Sequence, residues 1–232
     1  MRAPAVFRDV REVEIAVDSG SLPGCLTVPS GAVGLVLFAH GSGSSRLSPR
    51  NRQVADTLER AGLATLLFDL LTEREGEEDR FTARLRFDVA LLTRRLVAAS
   101  EWALSQPEVG HLPIGYFGSS TGAAAALVAA AERPEVAAVV SRGGRPDLAG
   151  EALAAVRAPT LLIVGGDDLP VIALNRRAMG QMVAPVELEI IPGATHLFEE
   201  SGALEQAAAL AAEWLRSYLG AAAARRGRGG KR

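Results

Sequence analysis

Apolar residues along the chain fall into two kinds of segment, short runs that are apolar at nearly every position and longer runs that are apolar mainly on one face. Arg11 to Asp18 alternates, with Val13, Ile15 and Val17 on one side, and Ser21 to Val28 follows a Ser-Gly turn, which predicts an antiparallel hairpin at a sheet edge. Leu35 to Ala39, Leu63 to Phe68, Ile114 to Phe117, Val136 to Val140, Thr160 to Val164 and Val186 to Ile191 are short and almost wholly apolar, as strands buried on both faces are. Helical stretches stand between them: Pro49 to Ala61 behind a Ser48 cap, about Leu85 to Ser105, a run ending at Glu132 before Arg133-Pro134, about Leu148 to Val156, a run through about Met182, and Leu204 to Leu219. Thr72 to Arg84 is so dense in charge that it reads as an exposed loop. The alternation predicts an α/β fold with a mostly parallel sheet and helices on both faces. The link between the sixth and seventh strands is too short for a helical lid domain.

At 232 residues, 48% hydrophobic and 22% charged, the chain suits one well-buried domain, expected to span residues 1–219. Net charge is −2, but Arg225, Arg226, Arg228, Lys231 and Arg232 gather at the end without an acid, leaving residues 1–219 at −7. Residues 220–232 therefore read as a basic, disordered tail, and with no basic or aromatic face elsewhere no nucleic-acid partner is expected. The opening MRAPAVFRDVREVEIAV lacks the apolar run of a signal peptide, and no stretch approaches the ~18 apolar residues of a membrane span, so the expectation is a cytoplasmic protein, monomer or homodimer, with no membrane partner. A lone Cys25 excludes an internal disulfide and a thiolate cluster. The three histidines lie in separate elements without ligand spacing, so neither a metal nor a cofactor is expected.

Candidate chemistry centres on Gly118-Ser119-Ser120-Thr121-Gly122, set between an apolar strand and an alanine-rich helix. This G-x-S-x-G pattern makes a nucleophile elbow: glycines two positions either side let strand and helix pass closely, and Ser120 projects above the sheet. Ligands in such sheets bind beyond the carboxyl ends of the strands. His40, Asp69, Arg142, Arg145, Asp147, Asp167, Asp168 and His196 all fall at that edge, whereas His111 precedes its strand and falls at the other. A serine hydroxyl needs a base, and the base needs a carboxylate to hold its tautomer. His196, in the loop after the last strand, is the expected base, and Asp168 the expected acid, with Asp167 and Asp147 as alternatives. Backbone N–H groups of Thr121 and Ser42 are the expected oxyanion donors, with His40 bracing the loop that carries Ser42. Arg145, Arg46 and Arg142 stand where they could pair with a substrate carboxylate, and each could equally be a solvated loop arginine.

Taken together, FAHGSGSSRLSPRN (Phe38 to Asn51), GYFGSSTGAAAA (Gly115 to Ala126), LLIVGGDD (Leu161 to Asp168) and PGATHLFEE (Pro192 to Glu200) resemble the dienelactone-hydrolase-like branch of the α/β-hydrolase superfamily, over roughly residues 8–219. The resemblance implies an eight-stranded, mostly parallel sheet and the triad Ser120, Asp168 and His196. Dienelactone hydrolases proper carry a cysteine where this chain has Ser120, which directs the expectation to small carboxylic esters and an acyl-serine intermediate. The competing readings are a lactone hydrolase, acyltransferase or peptidase of the same superfamily, and a non-catalytic ligand-binding module on the same scaffold.

Overall fold

Eight strands hydrogen-bond into one sheet in the order β1-β2-β4-β3-β5-β6-β7-β8, in a computed structural model that describes residues 8–229. The charged alternating segments become β1 (Arg8–Val17) and β2 (Gly20–Pro29), an antiparallel hairpin that also meets β4 antiparallel. β3 (Leu35–Ala39), β4 (Ala64–Phe68), β5 (Ile114–Ser119), β6 (Ala138–Arg142), β7 (Thr160–Gly165) and β8 (Val186–Ile191) run parallel. Along β3 the side chains part company, Leu35, Leu37 and Ala39 packing with one core and Val36 and Phe38 with the other. Strands buried on both faces carry unbroken apolar runs for this reason. The outer strand β8 instead alternates, turning Glu187 and Glu189 outward, as an edge that must not pair with another chain does.

The first core is closed by α3 (Val89–Ser105) and α4 (Thr121–Glu132), and the second by α1 (Pro49–Arg60) and α6 (Ala203–Gly229). Two expectations are corrected here. Residues 72–84 are not a loop: α2 (Glu73–Thr82) forms behind Thr72, whose hydroxyl accepts from Glu75 N–H while Glu75 accepts from Thr72 N–H, a reciprocal cap. It is fastened by polar anchors, Glu75 accepting from Arg95 at 2.6 Å and from Ser19 at 2.8 Å, so hydrophobic periodicity had nothing to report. The other correction concerns the tail. α6 does not stop at Leu219 but continues through Gly229, and Arg226 donates to the backbone oxygens of His111 and Leu112; the rest of the expected tail, 230–232, lies outside the described residues. Smaller shifts have local causes. Asp88 caps α3, accepting from Leu91 N–H at 2.9 Å and delaying its start to Val89. The segment Pro146–Ala155 is 3₁₀ and broken at Gly150, and α5 (Leu169–Met179) ends three residues early.

Strand order reverses between β3 and β5, because β4 lies to one side of β3 and β5 to the other. Loops leaving the carboxyl ends of β3 and β5 therefore diverge and open a crevice, the usual place for a ligand in such sheets. His40 to Gly43 and Ser120 are the residues at its two lips.

Candidate active site

Ser120 sits at the corner between β5 and α4 with φ 50° and ψ −122°, a left-handed backbone state that a residue with a Cβ rarely adopts. The corner is as tight as the spacing predicted: a Cβ on Gly118 would lie 2.4 Å from Ala123 Cα, and one on Gly122 would lie 2.1 Å from Ala39 O. Its backbone is pinned on the other side by the end of β6 and the turn after it, since Arg142 O accepts from Ser120 N–H at 3.4 Å and Ser120 O accepts from Arg145 N–H at 3.0 Å. Thr121 N–H is one of the unpaired donors at the start of α4, with no hydrogen-bond acceptor among the described residues.

His196 and Asp168 are brought together, Nδ1 to Oδ2 at 2.6 Å, with the histidine side chain 39% exposed and the carboxylate 13%. Nδ1 is thus engaged with the carboxylate, and Nε2 has no hydrogen-bond partner among the described residues, the arrangement in which an imidazole can accept a proton. The loop carrying His196 is locked at both ends of its turn. Thr195 gives its N–H and its hydroxyl to Glu200, which holds that carboxyl below its usual range, and Phe198, at φ 57°, buries its ring beneath. Gly143 packs against this loop, with His196 O 3.2 Å and His196 Cε1 3.7 Å from where its Cβ would be. The stretch Arg142 to Arg145 therefore touches both Ser120 and His196 and sets them on a common rim. Among the described residues no hydrogen bond joins Ser120 Oγ to the imidazole directly.

The alternatives for the acid are otherwise occupied. Asp147 forms a two-point ion pair with Arg145 at 2.8 and 2.7 Å, and Asp167 is an exposed turn residue whose N–H binds Ala194 O. On the facing lip, Ser42 N–H donates to Thr121 Oγ1 at 3.1 Å. His40 braces that lip: Nδ1 meets Gly41 O at 3.0 Å and Nε2 accepts Leu70 N–H at 3.1 Å, which fixes the proton on Nδ1. Burial, partly opposed by the Gly41 bond, lowers its pKa. His111 is exposed at the opposite edge, as expected.

The three candidate substrate arginines all find partners or cover. Arg46 binds Asp69 through its backbone N–H and its guanidinium, both at 2.7 Å, and lines a cleft of about 1080 Å³ that runs outward from Ser42 under α2. Neither Ser120 nor His196, Arg142 or Arg145 belongs to that lining, so the cleft borders the crevice from the β3 side only. Arg142 is not on a loop; it ends β6 and is buried with its guanidinium over the rings of Phe117 and Phe198. Sequence reasoning missed Arg86, which shares the cleft lining and is held by buried Asp79 through Nε at 2.5 Å. Thr72-Glu73-Arg74-Glu75, a capping-box pattern, was the signal that a helix stood there.

The sequence profile of the dienelactone hydrolase family matches residues 23–220. A crystal structure of a dienelactone hydrolase from Anabaena variabilis is 60% identical, with a TM-score of 0.90 over 91% of this chain and 99% of that one. Est1E from Butyrivibrio proteoclasticus, at 18% identity and a TM-score of 0.75 over 89% of this chain and 98% of its own, shares the fold alone. A protein of Mycobacterium tuberculosis bearing a provisional phosphoribosyl transferase name is 56% identical over 213 residues, 90% of this chain but 47% of its own length. The chain thus spans about half the length of that relative.

Proposed function

The chain belongs to the dienelactone hydrolase family, and from that premise we propose that it is a serine hydrolase of small carboxylic esters, working through an acyl-serine intermediate. The observation that carries the reading is the 2.6 Å pairing of His196 with Asp168 on the rim that also holds the strained Ser120. In this reading His196 Nε2 takes the Ser120 proton as Oγ attacks the ester carbonyl, and Asp168 stabilises the imidazolium and its orientation. Thr121 N–H receives the tetrahedral oxygen, the alcohol leaves with the proton returned by His196, and water repeats the two steps to free the acid.

A hydroxyl nucleophile suits ordinary esters, and the cleft beside Ser42 is lined chiefly by serines, arginines and acids, which favours short, polar acyl groups over long alkyl chains. Soluble, cytoplasmic action without cofactor fits this reading, and no helix among the described residues is long and apolar enough to cross a membrane. The phosphoribosyl transferase name is not carried over, because this chain matches less than half of the protein that bears it.

A fluorophosphonate probe should label the wild type and not Ser120→Ala, and a p-nitrophenyl ester series should be hydrolysed with a preference for short acyl groups. Loss of Ser120 or His196 should lower turnover by about 10⁴ to 10⁶. An unlabelled but folded wild type would instead favour a binding module on this scaffold.

A further inference from the structure

Thr121 combines two features that a residue following the nucleophile need not have. Its N–H is an unpaired donor at the start of α4, and its side-chain oxygen stands in front of Ser42 N–H at 3.1 Å, the place expected for the tetrahedral oxygen. The residue is only 4% exposed, so water does not readily take over either bond. Its hydroxyl has one proton of its own, and among the described residues nothing accepts it. A direct bond from Ser42 N–H to the oxyanion would require this buried hydroxyl to turn away and give up its only partner.

We propose that Thr121 Oγ1–H is itself the second donor of the oxyanion hole, with Ser42 N–H acting through it as a positioning group. Ser42 N–H occupies a lone pair of the hydroxyl oxygen and so leaves the O–H free to turn toward the oxyanion formed at Ser120. A hydroxyl that accepts one hydrogen bond donates the next more strongly, and donation to an anion is stronger than to a neutral carbonyl. The proton without an acceptor in the resting site meets one in the ester oxygen, and that bond strengthens as negative charge develops there. Such an interaction favours the transition state over bound ester, which is what accelerates the chemical step. Thr121 thereby supplies both donors, one from its backbone and one from its side chain.

The proposal rests on Ser120 being the nucleophile, and the experiment separates the two. The wild type is treated with a p-nitrophenyl alkylphosphonate and the Ser120 adduct is crystallised. The expected adduct has a phosphonyl oxygen within about 3 Å of both Thr121 N and Thr121 Oγ1, with Ser42 N–H still on the hydroxyl. A phosphonyl oxygen bonded directly to Ser42 N, with Thr121 rotated away, overturns the proposal while leaving the hydrolase reading intact; no adduct at Ser120 overturns both. Kinetics give an independent readout. Thr121→Val should lose about 10²-fold in kcat with KM little changed, the size of one oxyanion donor, and Thr121→Ser should recover most of it. A Thr121→Val enzyme with wild-type kcat, or a Thr121→Ser enzyme no better than Thr121→Val, counts against the hydroxyl. Where Thr121→Val does not fold, the wild-type adduct decides alone.

Discussion

His40 Nε2 accepts the backbone N–H of Leu70 at 3.1 Å, so a neutral imidazole ties the loop after β3 to the loop after β4. Protonation would place an N–H against an N–H, and burial already lowers this pKa from its ordinary 6.5. The native state therefore takes up this proton at lower pH than the unfolded chain. The penalty is absent above about pH 6.5, grows as pH falls toward the folded pKa, and is constant below it. Denaturant midpoints measured from pH 7.5 to 5 should fall for the wild type and fall less for His40→Ala. That variant should be about 1–3 kcal/mol less stable at pH 7.5, with Leu70 N–H left unpaired.

Asp168 rather than Asp167 reaches His196. Asp168→Asn should keep the fold and reduce ester turnover by up to about 10⁴, because the amide stabilises the wrong tautomer of the imidazole. Asp167→Asn, on an exposed turn, should hydrolyse p-nitrophenyl acetate within about twofold of wild type. Equal losses in the two variants would remove the assignment.

Legibility followed the kind of force that builds each part. Strands buried on both faces must be apolar at every position, so β3, β4 and β7 were visible within a residue or so, and the edge rule put Ser120, Asp168 and His196 at one sheet edge, where Asp168 and His196 do pair. β6 was read two residues early because Val136 is buried like a strand residue yet precedes the ladder. Segments fastened by ion pairs and caps were not visible as structure. α2 depends on Thr72, Glu75, Ser19 and Arg95, and charge density alone reads the same in a solvated loop and in a polar-anchored helix. The arginines fared likewise: sequence placed Arg46 and Arg145 at the right edge but could not say that Asp69 and Asp147 already hold them.

Gly122 allows α4 to pass within contact of Ala39, and the neighbour in the way is backbone that cannot rotate aside. Gly122→Ala should therefore cost more than the ~1–3 kcal/mol of ordinary overpacking, seen as a large drop in Tm or loss of soluble protein. Gly220→Ala makes the matched contrast. Gly220 lies within α6 with nothing within 4 Å of an added Cβ, so that variant should gain about 0.5–1 kcal/mol.

Arg142 is 8% exposed, and its guanidinium faces no carboxylate among the described residues. Nη2 reaches Asn51 Oδ1 at 3.3 Å, Nη1 is buried without a partner, and the rings of Phe117 and Phe198 lie 5.7 and 6.0 Å away. Burial, with Arg50 nearby, pulls its pKa down to about 10, the sign of a cation held where its charge is poorly compensated. Removing a buried, unpaired charge differs from breaking a buried pair, because no opposite charge is stranded by the change. Arg142→Met keeps most of the volume between the two rings and discards the desolvation penalty, so thermal unfolding should show a Tm equal to or above wild type. Arg142→Ala should lose about 2–4 kcal/mol through the cavity it leaves between the rings. A methionine variant as unstable as the alanine variant would mean that the charge itself, rather than the side chain's bulk, holds this part of the sheet.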